Sequence, residues 1–186
     1  ASPRVNYRTR GPLILWWDRL KKDKDDLVIS ESDSSRNFLI NQQGYSPEKV
    51  ITIHNGVDSE FWVSNEAERV ATRFMADIKD GELLLFSSGR LDTQKGYEYL
   101  LHALALIKDR APGLKTVIAG TGPLEKKLLN LAGELKLDYR VRFCGEQEHI
   151  RPWLSAADIF VLPSLWEGVP NSLLEAMSAE IGRAHV

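Results

Sequence analysis

The chain has 186 residues, 43% of them apolar and 27% charged, with a formal net charge of -2. These are the proportions of a soluble globular protein long enough for one full domain or parts of two. Near-neutral charge argues against a dedicated nucleic-acid surface, and no apolar run reaches the roughly eighteen residues of a membrane span.

The N-terminus has no signal-peptide h-region. The single cysteine, Cys144, cannot form an internal disulfide, so a reducing cytoplasm is the expected compartment. His54, His102, His149 and His185 have no ligand spacing with one another or with Cys144, and no metal site is expected.

Up to about Asp26 the chain mixes basic residues with Trp16 and Trp17 and reads as a helix-like piece. Asp23-Lys24-Asp25 is an Asp-x-Asp, but in this charged run it reads as a solvated helix end. A short strand is expected over 27–29. Ser32 and Asp33 then open a helix that holds Phe38, Leu39 and Gln42 and stops at Gly44. A strand over 50–53 ends in an Asn55-Gly56 turn. Over 64–78, Ala67, Val70, Ala71, Phe74 and Ile78 keep helical spacing, which predicts an apolar face turned to the core.

A continuous apolar strand over 83–87 runs into GRLDTQKG, residues 89–96, and then into a helix with Leu100, Leu104, Ile107 and Ala111 on one face. The next strand, 114–119, meets Gly120-Thr121-Gly122-Pro123; Pro123 suits a first helical turn. Leu124, Leu128, Leu131 and Leu135 line the helix that follows. A strand over 141–144 ends at Gly145, and an amphipathic segment over 150–157 leads into a last apolar strand over 159–162. Strands alternating with helices of this length predict a parallel, doubly wound α/β sheet of Rossmann-like type.

Beyond that last strand lies PSLWEGVPNSLLEAM, residues 163–177. Pro163, Gly168 and Pro170 make a loop, and Asn171 and Ser172 can cap a helix beginning at Leu173. The order of strand, loop and helix start places a crevice at the carboxyl end of a parallel strand, where open α/β sheets bind ligands. Glu167 and Glu175 flank the loop. Ser172 and Glu175 also have capping-box spacing, so a structural reading stays open at this point.

Two of the other turns narrow the choice of ligand. In Gly120-x-Gly122, Glu125 stands where a dinucleotide fingerprint needs a third glycine. In 89–96, Lys95 precedes its glycine, the reverse of P-loop order. What remains is Arg90, a planar fork of donors, and Lys95, a flexible point charge; together they suit a diphosphate. Free N–H groups at the helix start near Ser172 would add to an anion site. A phosphorylated, hydroxyl-rich ligand fits this set.

These residues resemble a known family. Gly89-Arg90-Leu91 with Lys95-Gly96, the run 119–123, the run 158–164, Glu167-Gly168-Val169-Pro170 and Glu175-Ala176-Met177 are similar to the retaining glycosyltransferases of GT-B fold, the glycosyl transferases group one of family four. Asn55-Gly56-Val57-Asp58 looks like the start of that family's second domain. The resemblance runs from about residue 27 to 179. It implies that Glu175 accepts hydrogen bonds from the ribose hydroxyls of a nucleotide-sugar, and that Glu167 orients the transferred sugar and favours positive charge at its anomeric carbon. Arg90 and Lys95 would stabilise the departing diphosphate in place of a metal. Gly89, Gly120, Gly122, Pro123, Phe143 and Gly145 would lie near the nucleotide, as would Gly168, Asn171, Ser172 and Leu173.

On this reading residues 1–54 are a remnant of an acceptor-binding domain and 55–179 a truncated donor-binding domain. Residues 180–186 fit nothing in the pattern. Ile-Gly-Arg-Ala-His-Val is similar to one reading frame of a sequencing-library adapter, so a foreign tail and an open sheet edge are expected. The implied activity is transfer of a hexose-type sugar from a UDP- or GDP-linked donor to a saccharide or lipid-linked acceptor with retention, without any further cofactor. The chain alone would be inactive. Contact with the inner face of a membrane through the basic, Trp-bearing N-terminal piece is a further expectation. A nucleotide-sugar-binding module without turnover, or an epimerase, hydrolase or phosphorylase of the same fold, remains open on the residues alone.

Overall fold

The computed structural model describes residues 16, 24–181 and 184–185. Residues 1–15 and 17–23, with Trp17 and Asp23, and Gly182, Arg183 and Val186 of the tail lie outside the described residues. The chain divides into two compact units. One takes in the described residues up to Gly56 together with Trp166–Asn171, the other Val57–Leu165 and the described residues from Ser172 onward.

In the first unit, strand β1 (Val28–Ser30) pairs in parallel with β2 (Val50–Thr52). Between them runs helix α1 (Asp33–Asn41). Its start is chemical: the Ser32 side chain accepts from the Ser35 N–H at 3.2 Å, satisfying one of the orphan donors of a helix N-terminus. Val28, Leu39, Tyr45 and Val50 form a small core.

The second unit is a five-stranded parallel sheet in the order β5-β4-β3-β6-β7, built from β3 (Leu83–Ser88), β4 (Leu114–Ala119), β5 (Val141–Phe143), β6 (Ile159–Val161) and β7 (Ala184–His185). Its helices are α2 (Glu66–Met75), α3 (Tyr97–Ile107), α4 (Glu125–Glu134), α5 (Arg151–Ala156) and α6 (Asn171–Ser178). Strand alternation feeds two cores. Leu85 and Ile118 face Leu101, Leu104 and Leu128 on one side of the sheet. On the other, Leu84, Phe86 and Phe160 pack with Leu154, Leu162 and Ala176. Apolar layers on both faces confirm the doubly wound α/β sheet. The chain winds outward from β3 to β5, then crosses to β6 on the other side of β3. The topological switch point therefore lies between β3 and β6.

Three expectations change. First, α2 is inside out. Val70, Phe74 and Met75 are 61%, 86% and 71% exposed, while Arg69 and Arg73 face the sheet. The guanidinium of Arg69 donates to the carbonyls of Ser155, Ala156 and Ala157 at 2.9–3.2 Å, and that of Arg73 to Ala156 O and Glu82 O. Both also pair with Asp158, at 2.5 Å and 2.9 Å. The carbonyls that α5 leaves unbonded at its end and one carboxylate thus select the charged face.

Second, α6 begins at Asn171, so Asn171 and Ser172 lie in its first turn rather than capping a helix that starts at Leu173. Pro170 stands immediately before the first helical residue. Third, the edge beyond β6 is not left open: Ala184 and His185 pair in parallel with Phe160 and Val161.

Candidate nucleotide cleft

The strand ends build the site. At the carboxyl ends of β3, β4 and β5 the loops interlock through their backbones. Gly89 N donates to Ala119 O at 3.0 Å, Leu91 N to Thr121 O at 2.9 Å, Leu124 N to Leu91 O at 2.9 Å and Gly120 N to Gly145 O at 2.7 Å. Glycine is required for this approach. Gly120 has a φ of +134°, and a Cβ on it would collide with the Gly89 carbonyl, a conformation and a distance that only glycine accepts. Gly96, at φ +64°, comes equally close to the Pro163 carbonyl. Beside it Leu165 N donates to Gln94 O at 2.8 Å, joining the loops after β3 and β6 at the switch point.

Above the interlocked loops opens a cleft of about 510 Å³. Ser88, Gly89 and Arg90 line it from β3, Ala119, Gly120, Thr121 and Gly122 from β4, and Glu146, Gln147 and Ile150 from the segment after β5. This is the volume and position expected of a small-molecule site in an open α/β sheet. The Arg90 side chain is 72% exposed, its Nε 3.8 Å from Asp92 Oδ2; a contact so long and exposed does little to hold the guanidinium. Asp92 Oδ1 accepts from the Lys95 N–H at 3.2 Å, closing a short 3-10 turn over Thr93–Lys95. The Lys95 stem passes the α-carbon of Gly89, its Cε 3.2 Å from where a Cβ would stand.

Of the residues expected at the nucleotide, Gly89, Arg90, Gly120 and Gly122 share this cleft, with Lys95 beside it. Gly145 holds Gly120 from behind. Phe143 directs its side chain into the core of the α3–α4 face, and Leu173 packs into the core of the other face. Pro123 sits in the turn before α4, outside the lining. Glu167, Gly168 and Asn171 belong to the first compact unit. There Asn55 Nδ2 donates to Val169 O at 3.0 Å, tying the Glu167–Pro170 loop to the Asn55-Gly56 turn. Glu175 lies on α6, half-buried. Burial pushes its carboxyl above the ordinary glutamate range, and it has no hydrogen-bond or ion-pair partner among the described residues. The capping-box reading of Ser172 and Glu175 therefore does not hold.

Ser88, Glu146 and Gln147 were not singled out by the sequence. Gln147 is locked in place: Trp153 Nε1 donates to its Oε1 at 3.0 Å, and its Nε2 donates to Cys144 O at 2.7 Å. The signal that could have found these positions is topological, since Ser88 ends a parallel strand and Glu146 and Gln147 lie in the loop after one.

Residues 69–182, more than half of the chain, match the family model described as glycosyl transferases group 1. The chain belongs to that family. It is 32% identical over 154 residues to the UDP-Gal:alpha-D-GlcNAc-diphosphoundecaprenol alpha-1,3-galactosyltransferase of Escherichia coli, covering 81% of this chain and 40% of that one. A Campylobacter jejuni relative, N-acetylgalactosamine-N,N'-diacetylbacillosaminyl-diphospho-undecaprenol 4-alpha-N-acetylgalactosaminyltransferase, is 29% identical over 155 residues, covering 83% of this chain and 40% of the relative. The chain thus spans less than half the length of these curated relatives. Among solved structures, Anabaena HepE in complex with UDP and glucose superposes with a TM-score of 0.84 at 23% identity, over 95% of this chain and 49% of HepE. The parallel α/β fold is that of GT-B glycosyltransferases.

Proposed function

We propose that this group 1 family member forms the donor-binding half of a glycosyltransferase that moves a hexose-type sugar from a UDP- or GDP-linked donor to a saccharide or lipid-linked acceptor, with retention of configuration. The observation that carries the reading is the cleft itself, a Gly-rich backbone cradle with an exposed arginine and a lysine stem at the ends of three parallel strands. It is supported by relatives whose names specify nucleotide-sugar and undecaprenyl-diphosphate substrates and by the likeness to HepE with UDP and glucose.

In this proposal the nucleotide lies along the Gly120–Gly122 backbone, and Arg90 with Lys95 carries the negative charge that develops on the departing diphosphate. That charge grows in the transition state, so donors placed for it lower the barrier rather than merely tighten binding. Glu175, an unpartnered carboxylate, accepts from the two ribose hydroxyls. Glu167 orients the sugar, and the acceptor attacks from the face the diphosphate leaves, so no enzyme nucleophile is needed. Residues 1–54 would come from the acceptor domain, 55–179 from the donor domain, and 180–186 from a foreign tail. Turnover is proposed for a protein of its relatives' length, and donor binding for this chain.

The test is product analysis on such a longer protein with UDP- and GDP-hexoses, with and without acceptor. Acceptor-dependent transfer that keeps the donor's anomeric configuration is expected. Free sugar or an epimerised donor without acceptor, or an inverted product, would refute the proposal.

A further inference from the structure

Two hydroxyls at the end of β3 stand out. Ser87 is fully buried and Ser88 is 7% exposed, and neither Oγ has a hydrogen-bond partner among the described residues. A hydroxyl taken out of water without a partner costs free energy that a folded chain ordinarily avoids. The two differ in where they point. Strand alternation puts Ser88 on the same face as Leu84 and Phe86, the face that packs with Leu154 and Phe160, whereas Ser87 turns to the opposite one. Ser88 lines the cleft and Ser87 does not.

We infer that Ser88 is a ligand-contacting residue of the cleft, its hydroxyl left unpaired by the fold to bond a polar atom of the bound nucleoside diphosphate. The inference rests on the donor reading above and adds to it a contact that lies outside the glycines and cations. The chemistry is specific. The apolar Ala119 and Ile150 line the same cleft, and neither offers a side-chain hydrogen bond. Gln147, which also lines the cleft, already spends its amide on Trp153 and Cys144. A serine hydroxyl donates one bond and accepts others, so it can meet a phosphate oxygen, a ribose hydroxyl or a base edge. Bound, the ligand satisfies a group that the unliganded fold leaves wanting. Removing the hydroxyl should therefore cost affinity without costing stability, a pairing of effects that a structural serine would not give.

The experiment compares Ser88→Ala and Ser87→Ala with the unsubstituted chain, by calorimetric titration of UDP and of GDP and by thermal melts. Ser88→Ala is expected to weaken the nucleotide that binds by about three- to tenfold, the worth of one neutral hydrogen bond, with Tm held or raised. Ser87→Ala is expected to leave affinity unchanged with Tm likewise held or raised. Unchanged affinity in Ser88→Ala, or a clear fall in its Tm, overturns the inference while leaving the donor reading intact. If the folded, unsubstituted chain binds neither nucleotide, the donor reading of the cleft and this contact fall together.

Discussion

The arginine pair beneath α2 makes a quantitative prediction. Asp158 accepts from Leu84 N at 2.8 Å, from Arg69 at 2.5 Å and from Arg73 at 2.9 Å. The side chains are 21%, 28% and 15% exposed for Asp158, Arg69 and Arg73. Burial alone would raise the Asp158 carboxyl, but the Leu84 N–H and the two guanidiniums outweigh it and hold it below the usual carboxylate range. Stripping one member from a buried charge network costs about 3–5 kcal/mol. Here the guanidiniums keep their carbonyl acceptors, so Asp158→Ala should cost about 2–4 kcal/mol, or roughly 5–15 °C in Tm for a chain of this size. Asp158→Asn, which retains an acceptor for Leu84 N, should fall between. The sign of the pH dependence follows from the lowered pKa. The carboxylate's contribution is present above its unfolded value of about 4 and is lost as pH falls through the lower folded value. Urea melts of the three proteins at pH 7 and pH 3.5 read this directly. An Asp158→Ala cost under about 1 kcal/mol at pH 7, or a cost that grows on acidification, would refute the account of why α2 buries its arginines.

Other predictions bear on the site. In a protein of its relatives' length, Arg90→Ala should lower turnover about a hundredfold or more if Arg90 acts as an oxyanion-type donor to the leaving diphosphate; steady-state kinetics showing unchanged kcat would remove it from the mechanism. Gly120→Ala should destabilise by about 1–3 kcal/mol, because its Cβ must displace the Gly89 carbonyl, and thermal melts would show it; an unshifted Tm would mean the loops are not interlocked as described. Because burial raises the Glu175 carboxyl, its charged form costs the fold at neutral pH, and that cost disappears as pH falls through the raised folded value. Glu175→Gln should therefore melt higher than the unsubstituted chain at pH 7, with the difference shrinking on acidification. A lower Tm would indicate a structural partner for the carboxylate.

The sheet was legible because its strands are short apolar runs closed by glycine: β4 falls on 114–119 as expected, and Ser32 caps α1. The reversal of α2 was not legible. Periodicity shows that Val70 and Phe74 share a face with one another, but not that Arg69 and Arg73 would find a row of carbonyls and Asp158 to satisfy them. The start of α6 slipped because Asn171 and Ser172 are good caps locally, whereas the helix takes both into its first turn. At the cleft, Gly89, Arg90, Gly120 and Gly122 were readable as Gly-rich turns. Ser88, Glu146 and Gln147 were not, since nothing about a serine at a strand end or a polar pair after Gly145 marks it until the order β5-β4-β3 sets their loops side by side.

The central claim is that the cleft at the ends of β3, β4 and β5 takes a nucleoside diphosphate whose ribose is held by Glu175. Calorimetric titration of the chain with UDP, GDP and ADP, alongside Glu175→Ala, tests it most directly. The account predicts saturable one-to-one binding of UDP or GDP that Glu175→Ala loses. Folded chain that binds none of the three, or binding that Glu175→Ala leaves unchanged, would contradict it.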